Sequence, residues 1–280
     1  RGVLGLQLWM NGLNIALDLW FVLGLGWGVQ GVAIATLISE MTALALGLWL
    51  CREAFAGAQW RDWPRVFDRL RLKRMWVVNS DIMLRTIALQ AAMTGFLFVS
   101  SGFGDVTLAA NQILWQFMLL TAYALDGFAF AAEALVGKAV GAKSVTLMRR
   151  AGLRASGWAL GLSVVMALGF LALGPLVIDL MATDVAVRAA ARDYLPFVVV
   201  LTVLGVACYM LDGIFIGATG TREMRNTVIL SVAIYFAVIW ALVPVYGNVA
   251  LWSAFALLNV LRGVFLWRLY PRLEARVARA

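Results

Sequence analysis

Eight apolar runs, each close to the length of a bilayer crossing, follow one another with short interruptions: 2–24, 28–51, 75–101, 106–137, 146–174, 190–218, 225–245 and 249–270. An α-helix needs roughly 20 apolar residues to cross about 30 Å of hydrocarbon. Inside hydrocarbon, a helix or a closed barrel is the only way to pair every backbone N–H and C=O. The expected fold class is therefore an all-α polytopic membrane protein with about eight transmembrane helices. The composition fits: 63% of residues are apolar and 14% charged, far from an ordinary soluble domain. Twelve Trp and 26 Gly suit interfacial anchoring and close helix packing.

The basic residues give the topology. Twenty of the 23 Lys and Arg fall at alternate ends of the runs: Arg1, the stretch 52–74, the segment 138–154, the pair Arg222 and Arg225, and the tail 262–280. The opposite turns, 24–28, 102–105 and 246–248, carry none. Only Arg188 and Arg192 break the alternation, and Arg85 lies within a run. The positive-inside rule then places the stretch 52–74 and the C-terminus in the cytoplasm. Within 52–74, Trp60, Trp63, Val66, Phe67 and Leu70 recur at helical spacing, which predicts an amphipathic surface helix joining two bundles.

Several function classes drop out. There is no His, which removes His-based catalysis and most zinc chemistry. No nucleophile or metal motif is assembled, so the chain does not read as an enzyme and needs no metal or other cofactor. Cys51 and Cys208 lie at or in apolar runs without ligand spacing and read as small packing residues. The net charge of +8 is explained by topology, not by a basic face for nucleic acid. The chain begins with Arg1 inside an apolar context and without a signal peptide, and it reads as lacking N-terminal helices.

A weak internal repeat sets residues 27–35, WGVQGVAIA, over residues 246–254, YGNVALWSA. Each is a short turn entering a helix of small residues. Parallel repeats of this kind occur in secondary transporters. Taken as real, it makes residues 1–51 the last two helices of a first bundle, 52–74 a cytoplasmic linker, and 75–280 a second bundle of six.

Charged groups inside the membrane are costly and mark function or a paired network. Leu125–Gly141, LDGFAFAAEALVGKAVG, holds Asp126 and Glu133 on one helix face, and its opening recurs as LDGIFIGA at 211–218 with Asp212. Glu133 lies near the basic end, where Lys138 or a neighbouring arginine can pair with it; Asp126 is deeper. Asp126 and Asp212 read either as coupling or substrate-charge sites or as members of a buried structural network. Asp81 and Arg85 are spaced for an i, i+4 ion pair, and Arg85 is also a ready partner for Asp126 or Asp212. Gln90, Asn111, Gln112 and Gln116 are amides within spans, suited to lining a cavity or to hydrogen bonds between helices. Asn14 and Asp18 share a face, and Asp18 sits about 9 Å below the outer helix end. A carboxylate held out of water can exchange a proton near neutrality.

The run Asn14-Ile15-Ala16-Leu17-Asp18 followed by 24–36, GLGWGVQGVAIAT, resembles two helices of the MATE (multidrug and toxic compound extrusion) family. Residues 108–114, LAANQIL, together with 125–141 and 211–226, resemble its DinF-like bacterial branch. The resemblance implies a twelve-helix fold of two six-helix bundles, of which the first four helices are absent here. It implies a monomeric bacterial inner-membrane antiporter that exports organic cations or amphipathic drugs in exchange for H⁺ or Na⁺. It assigns Asn14 and Asp18 to an N-bundle cation site and Asp212 to a C-bundle one. An arginine at 85, where other branches carry an acid, leans the reading towards H⁺. The alternative is a flippase for a lipid or lipid-linked precursor, which needs cations within the spans; Arg85 alone meets that need in the sequence.

Overall fold

The computed structural model describes residues 2–56 and 62–279, and these are helical throughout, with no strand among them. Arg1, Trp60, Arg61 and the side chains of Arg65 and Val66 lie outside the described residues. Seven helices are long and apolar enough to cross a membrane. The chain divides into two compact units, residues 1–73 and 74–280.

In the first unit, α1 (Gly2–Asp18) runs into a π-helical segment, Leu19–Gly24, and a short turn leads to α2 (Gly28–Leu50). The two helices pack through small residues: Gly31, Ala35, Ser39 and Ala43 form the buried stripe of α2. Phe21, the buried residue of the π segment, stacks on Trp27 at 5.1 Å between ring centres.

The single amphipathic helix expected over 52–74 is not formed. The described residues of this stretch make two four-residue helices, α3 (Arg52–Phe55) and α4 (Trp63–Val66), and then start α5 (Arg69–Ser101) after a break at residues 67–68. The local reason is Asp68, whose Oδ1 accepts from the backbone N–H of Leu70 at 2.9 Å and of Arg71 at 3.3 Å. That is an N-cap, and it opens a new helix instead of extending an old one. Trp63 and Phe67 still stack, at 5.8 Å.

The second unit continues with α6 (Asp105–Gly141), α7 (Val145–Met181), α8 (Val185–Gly217) and α9 (Thr221–Arg279). Ser144 caps α7 and Asp184 caps α8. The last two expected helices are the two limbs of α9, broken at Gly247, where φ is 56°. An ion pair between Glu223 and Arg276 ties the two ends of α9 together, so the limbs run antiparallel. The proposed repeat aligns Gly28 with Gly247, and both carry left-handed φ angles, 54° and 56°. Only glycine adopts that backbone without strain. The two arginines that break the charge alternation are used locally. Arg192 pairs with Asp179 of α7, and Arg188 Nε donates to the Ala182 carbonyl at 2.8 Å, just past the end of α7.

α8 is the most buried of the candidate spans and packs against α6, α7 and α9. Its contact with α6 is backbone to backbone. A Cβ on Gly213 would stand 2.4 Å from the Ala129 carbonyl oxygen, and one on Gly217 2.5 Å from that of Glu133. This is a Gly-x-x-x-Gly seam, the device that lets membrane helices approach closely. Two apolar cores result. One, towards the uncharged turns, contains Phe96, Leu114, Trp252 and Phe255; the other, towards the basic ends, contains Leu125, Met148, Phe215 and Leu266. Between them every helix of the unit contributes a polar side chain.

Candidate functional site

That intervening layer is where the charge sits. Thr121 of α6 and Thr202 of α8 share a hydrogen bond at 3.2 Å, and Ser163 of α7 donates to the Thr202 carbonyl at 2.5 Å. Beside them, Asp212 of α8 accepts from two arginines through the same oxygen, Oδ2. One is Arg85 of α5; the other is Arg262 on the second limb of α9, at 2.6 Å. Asp212 and Arg262 are 4% and 5% exposed, so the three charges lie inside the bundle and not at its rim. Arg262 is held further by Asn259 Oδ1 at 3.4 Å and lies 5.9 Å from the Tyr209 ring centre. Asn259 Oδ1 also accepts from Cys208 Sγ at 3.4 Å.

The triad is not closed. Asp212 Oδ1 and the Nε groups of Arg85 and Arg262 are buried without a hydrogen-bond partner among the described residues. Two cations on one anion leave a positive excess, which is expensive at low dielectric. Asp126 brings the formal charge of the cluster to zero. It is half-buried on α6, makes no hydrogen bond among the described residues, and lies within electrostatic range of Arg85, Arg262 and Asp212. The Arg85–Asp212 partnership anticipated in the sequence is present; the Asp81–Arg85 pair is not. Asp81 instead accepts from Arg225 and from Thr221 Oγ1, the latter at 3.3 Å, pinning α5 to the start of α9.

The amides expected beside these charges separate. Asn111 is fully buried and saturated: it donates to Ser100 Oγ at 2.7 Å and Asn248 Oδ1 at 2.8 Å, and accepts from Trp252 Nε1 at 2.9 Å and Asn248 Nδ2 at 3.1 Å. It latches α5, α6 and α9 together near the uncharged turns. Gln112 and Gln116 are exposed and border a groove of about 410 Å³ against the α7–α8 turn. Gln90 is exposed on α5. Glu133 is half-buried, with its carbonyl in the α6–α8 seam.

The first unit holds a second polar site. Asn14 Nδ2 donates to Thr36 Oγ1 of α2 at 3.4 Å, and Thr36 donates to the Val32 carbonyl at 3.0 Å. Asp18, one turn on, is the last α-helical residue before the π segment, and its Oδ1 is buried with no hydrogen-bond partner among the described residues. π-bulges inside helices are frequent at functional sites. A buried carboxylate oxygen without a donor suits a proton or a cation.

The family model MatE matches residues 82–241, more than half of the chain. The chain belongs to the MatE family. It is 39% identical to the DNA damage-inducible protein F of Escherichia coli over 271 residues, covering 94% of this chain and 57% of that protein. Protein DETOXIFICATION 43 of Arabidopsis thaliana is 26% identical, over 90% of this chain and 47% of its own length. Among solved structures, a mutant of the Vibrio cholerae MATE transporter VcmN superposes with a TM-score of 0.85 at 20% identity, covering 99% of this chain and 63% of that one. A MOP superfamily transporter from Pyrococcus furiosus superposes with a TM-score of 0.78 at 24% identity, covering 96% and 62%. The chain thus spans about half the length of the curated relatives it matches and about three fifths of the solved structures.

Within this MatE chain, Arg262 is the residue that sequence reasoning misplaced. Counted with the basic tail, it is instead inside the bundle, and Arg85 is not the lone cation within the spans. The signal was available: Arg262 lies 15 residues after Gly247, roughly 22 Å along a helix at 1.5 Å per residue, with apolar residues on both sides. That depth is well inside a hydrocarbon slab of about 30 Å.

Proposed function

We propose that this chain is part of a secondary active antiporter that exports organic cations or amphipathic compounds in exchange for H⁺, or Na⁺. The observation that carries the reading is Asp18: a carboxylate in an apolar helix with one buried oxygen that has no donor among the described residues, one turn from Asn14, which donates to Thr36. A proton and a substrate or sodium cation compete for such an oxygen, and competition for one charge is what antiport requires. Family membership supports transport, and VcmN is described as a MATE transporter. The charge alternation supports a bacterial inner-membrane protein with the C-terminus in the cytoplasm, residues 1–51 closing one bundle and 75–280 forming a second. The protein acts as a monomer and uses no cofactor beyond the coupling ion.

The test is substrate-dependent collapse of a ΔpH in proteoliposomes. Asp18→Asn is expected to abolish collapse while the protein remains folded; unchanged collapse removes Asp18 from the coupling scheme.

Arg262 favours a second reading, a flippase for lipid or lipid-linked precursors, because it doubles the cations within the spans. Both guanidiniums, however, pair with Asp212, with Asp126 in range, so the formal charge of the cluster is balanced without a phosphate. Translocation of a fluorescent phospholipid without any effect of drug on ΔpH decides for the flippase.

A further inference from the structure

α7 and α9 both pack on α8 but scarcely touch each other, leaving a strip of α8 uncovered between them. Two contiguous cavities of about 500 and 360 Å³ lie there, sharing Ser156, Leu211 and Trp267. Their combined size is that of a small-molecule site. The larger is almost wholly apolar, floored by Ala207 and Met210. The smaller reaches the basic ends of the helices and is closed there by Arg149, Tyr270 and Glu274.

We propose that this groove is a binding site for an anionic phospholipid, with an acyl chain in the apolar part and the headgroup at the Arg149 end. The chemistry of the two ends argues for it. Trp267, on the lip, is 70% exposed, the position of a residue that anchors at a membrane interface. At the polar end Arg149 holds Glu274 through two bonds, at 2.5 and 2.6 Å, so the one acid in the lining is neutralised. The flanking segments, 149–154 and 268–276, carry six arginines and that single Glu. Arg276 is spent on Glu223; Arg150, Arg154, Arg268 and Arg272 are exposed. Basic pockets between transmembrane helices on the cytoplasmic side are the recurring form of anionic-headgroup sites. A zwitterionic lipid fits the apolar part equally well but gains nothing from the surplus charge.

The Arg149–Glu274 pair provides a test whose two halves move in opposite directions. Native mass spectrometry of the purified protein with phosphatidylglycerol and with phosphatidylcholine reads the preference. Arg149→Gln leaves Glu274 bare beside the headgroup and is expected to weaken phosphatidylglycerol binding about fivefold; Glu274→Gln frees Arg149 and is expected to strengthen it by a similar factor. Phosphatidylcholine binding changes in neither. Ser156→Trp, which fills the groove from the α7 wall, is expected to lower binding of both lipids. A merely structural salt bridge predicts that both variants lose thermal stability and keep the wild-type lipid preference, and that result overturns the proposal. So does a Ser156→Trp protein that loses tetraphenylphosphonium binding while keeping its lipid, which makes the groove a substrate portal.

Discussion

Replacing Asp212 by Asn removes the anion shared by Arg85 and Arg262 while keeping the shape of the side chain. In the wild type two cations face Asp212, with Asp126 in range, and the sum is zero. After Asp212→Asn only Asp126 balances the two arginines, and one guanidinium is left buried without a counter-charge. Breaking a buried pair in this way costs about 3–5 kcal/mol. Arg262→Met alone is milder, about 1–3 kcal/mol, because Asp212 keeps Arg85 when the Arg262 bonds to Asp212 and Asn259 are lost, and the carboxylate left in excess, Asp126, is only half-buried. Making both changes restores the formal balance, Arg85 against Asp126, so that no buried guanidinium is left without a counter-charge. The double variant is therefore expected to be more stable than Asp212→Asn alone, with an interaction of about 3 kcal/mol, the upper end for residues in contact.

The assay is a double-mutant cycle by thermal unfolding of the purified protein in micelles. Asp212→Asn is expected to lower the midpoint by on the order of 10 °C, and adding Arg262→Met to recover about a quarter of it where additivity demands a further loss. Two results refute the reasoning. Strict additivity means the three side chains do not share one charge balance. An Arg262→Met change that is silent in both backgrounds returns Arg262 to the solvated basic tail.

Gly213→Ala is expected to cost about 1–3 kcal/mol, because a Cβ 2.4 Å from the Ala129 oxygen forces α6 and α8 apart, whereas Gly127→Ala, with nothing within 4 Å of its Cβ, leaves the unfolding midpoint unchanged. Asn111→Ala strands Asn248, Trp252 and Ser100 and is expected to cost about 2–4 kcal/mol with unchanged substrate preference per folded molecule, read by drug-binding titration after thermal calibration. Asp81→Asn loosens α5 from the start of α9 and is expected to cost less than Asp212→Asn, about 1–2 kcal/mol, because Arg225 is 25% exposed and water takes up part of its charge.

The helices were legible because hydrocarbon leaves the backbone one economical solution, so apolar length translates directly into helix. Even the break at Gly247 was visible as a turn between two runs. The linker failed for a local reason: Asp68 competes as an N-cap, and hydrophobic spacing does not register a cap. Side-chain partners were harder, because they depend on helix neighbours that no period reveals. Asp81 and Arg85 are correctly spaced on one helix, yet each finds a partner from a different helix, Arg225 and Asp212. The four in-span amides looked alike in sequence; Asn111 and Gln112 are adjacent, and one residue's rotation separates a saturated interhelical latch from an exposed groove wall. Arg262 was hidden by bookkeeping of charge per segment, which records the side of the membrane but not the depth.

The repeated Leu-Asp-Gly opening of 125–127 and 211–213 shows how a motif and its chemistry part company. Both acids stand before a glycine on apolar helices, and those two helices pack on each other. Gly213 is pressed against the α6 backbone and its helix repeats the small residue four positions later, at Gly217; Gly127 faces open space and is followed by Ala131. Close approach on the α8 side buries Asp212, and a buried carboxylate has to be paired, which is why two arginines from two other helices converge on it. Asp126, spared that approach, stays half-exposed and makes no hydrogen bond among the described residues, while still balancing the second arginine through space. The same three residues thus give one carboxylate held by two arginines and one left without a hydrogen bond among the described residues. On the antiport reading, a cation or proton arriving at Asp126 unbalances Arg85 and Arg262 without breaking a single hydrogen bond.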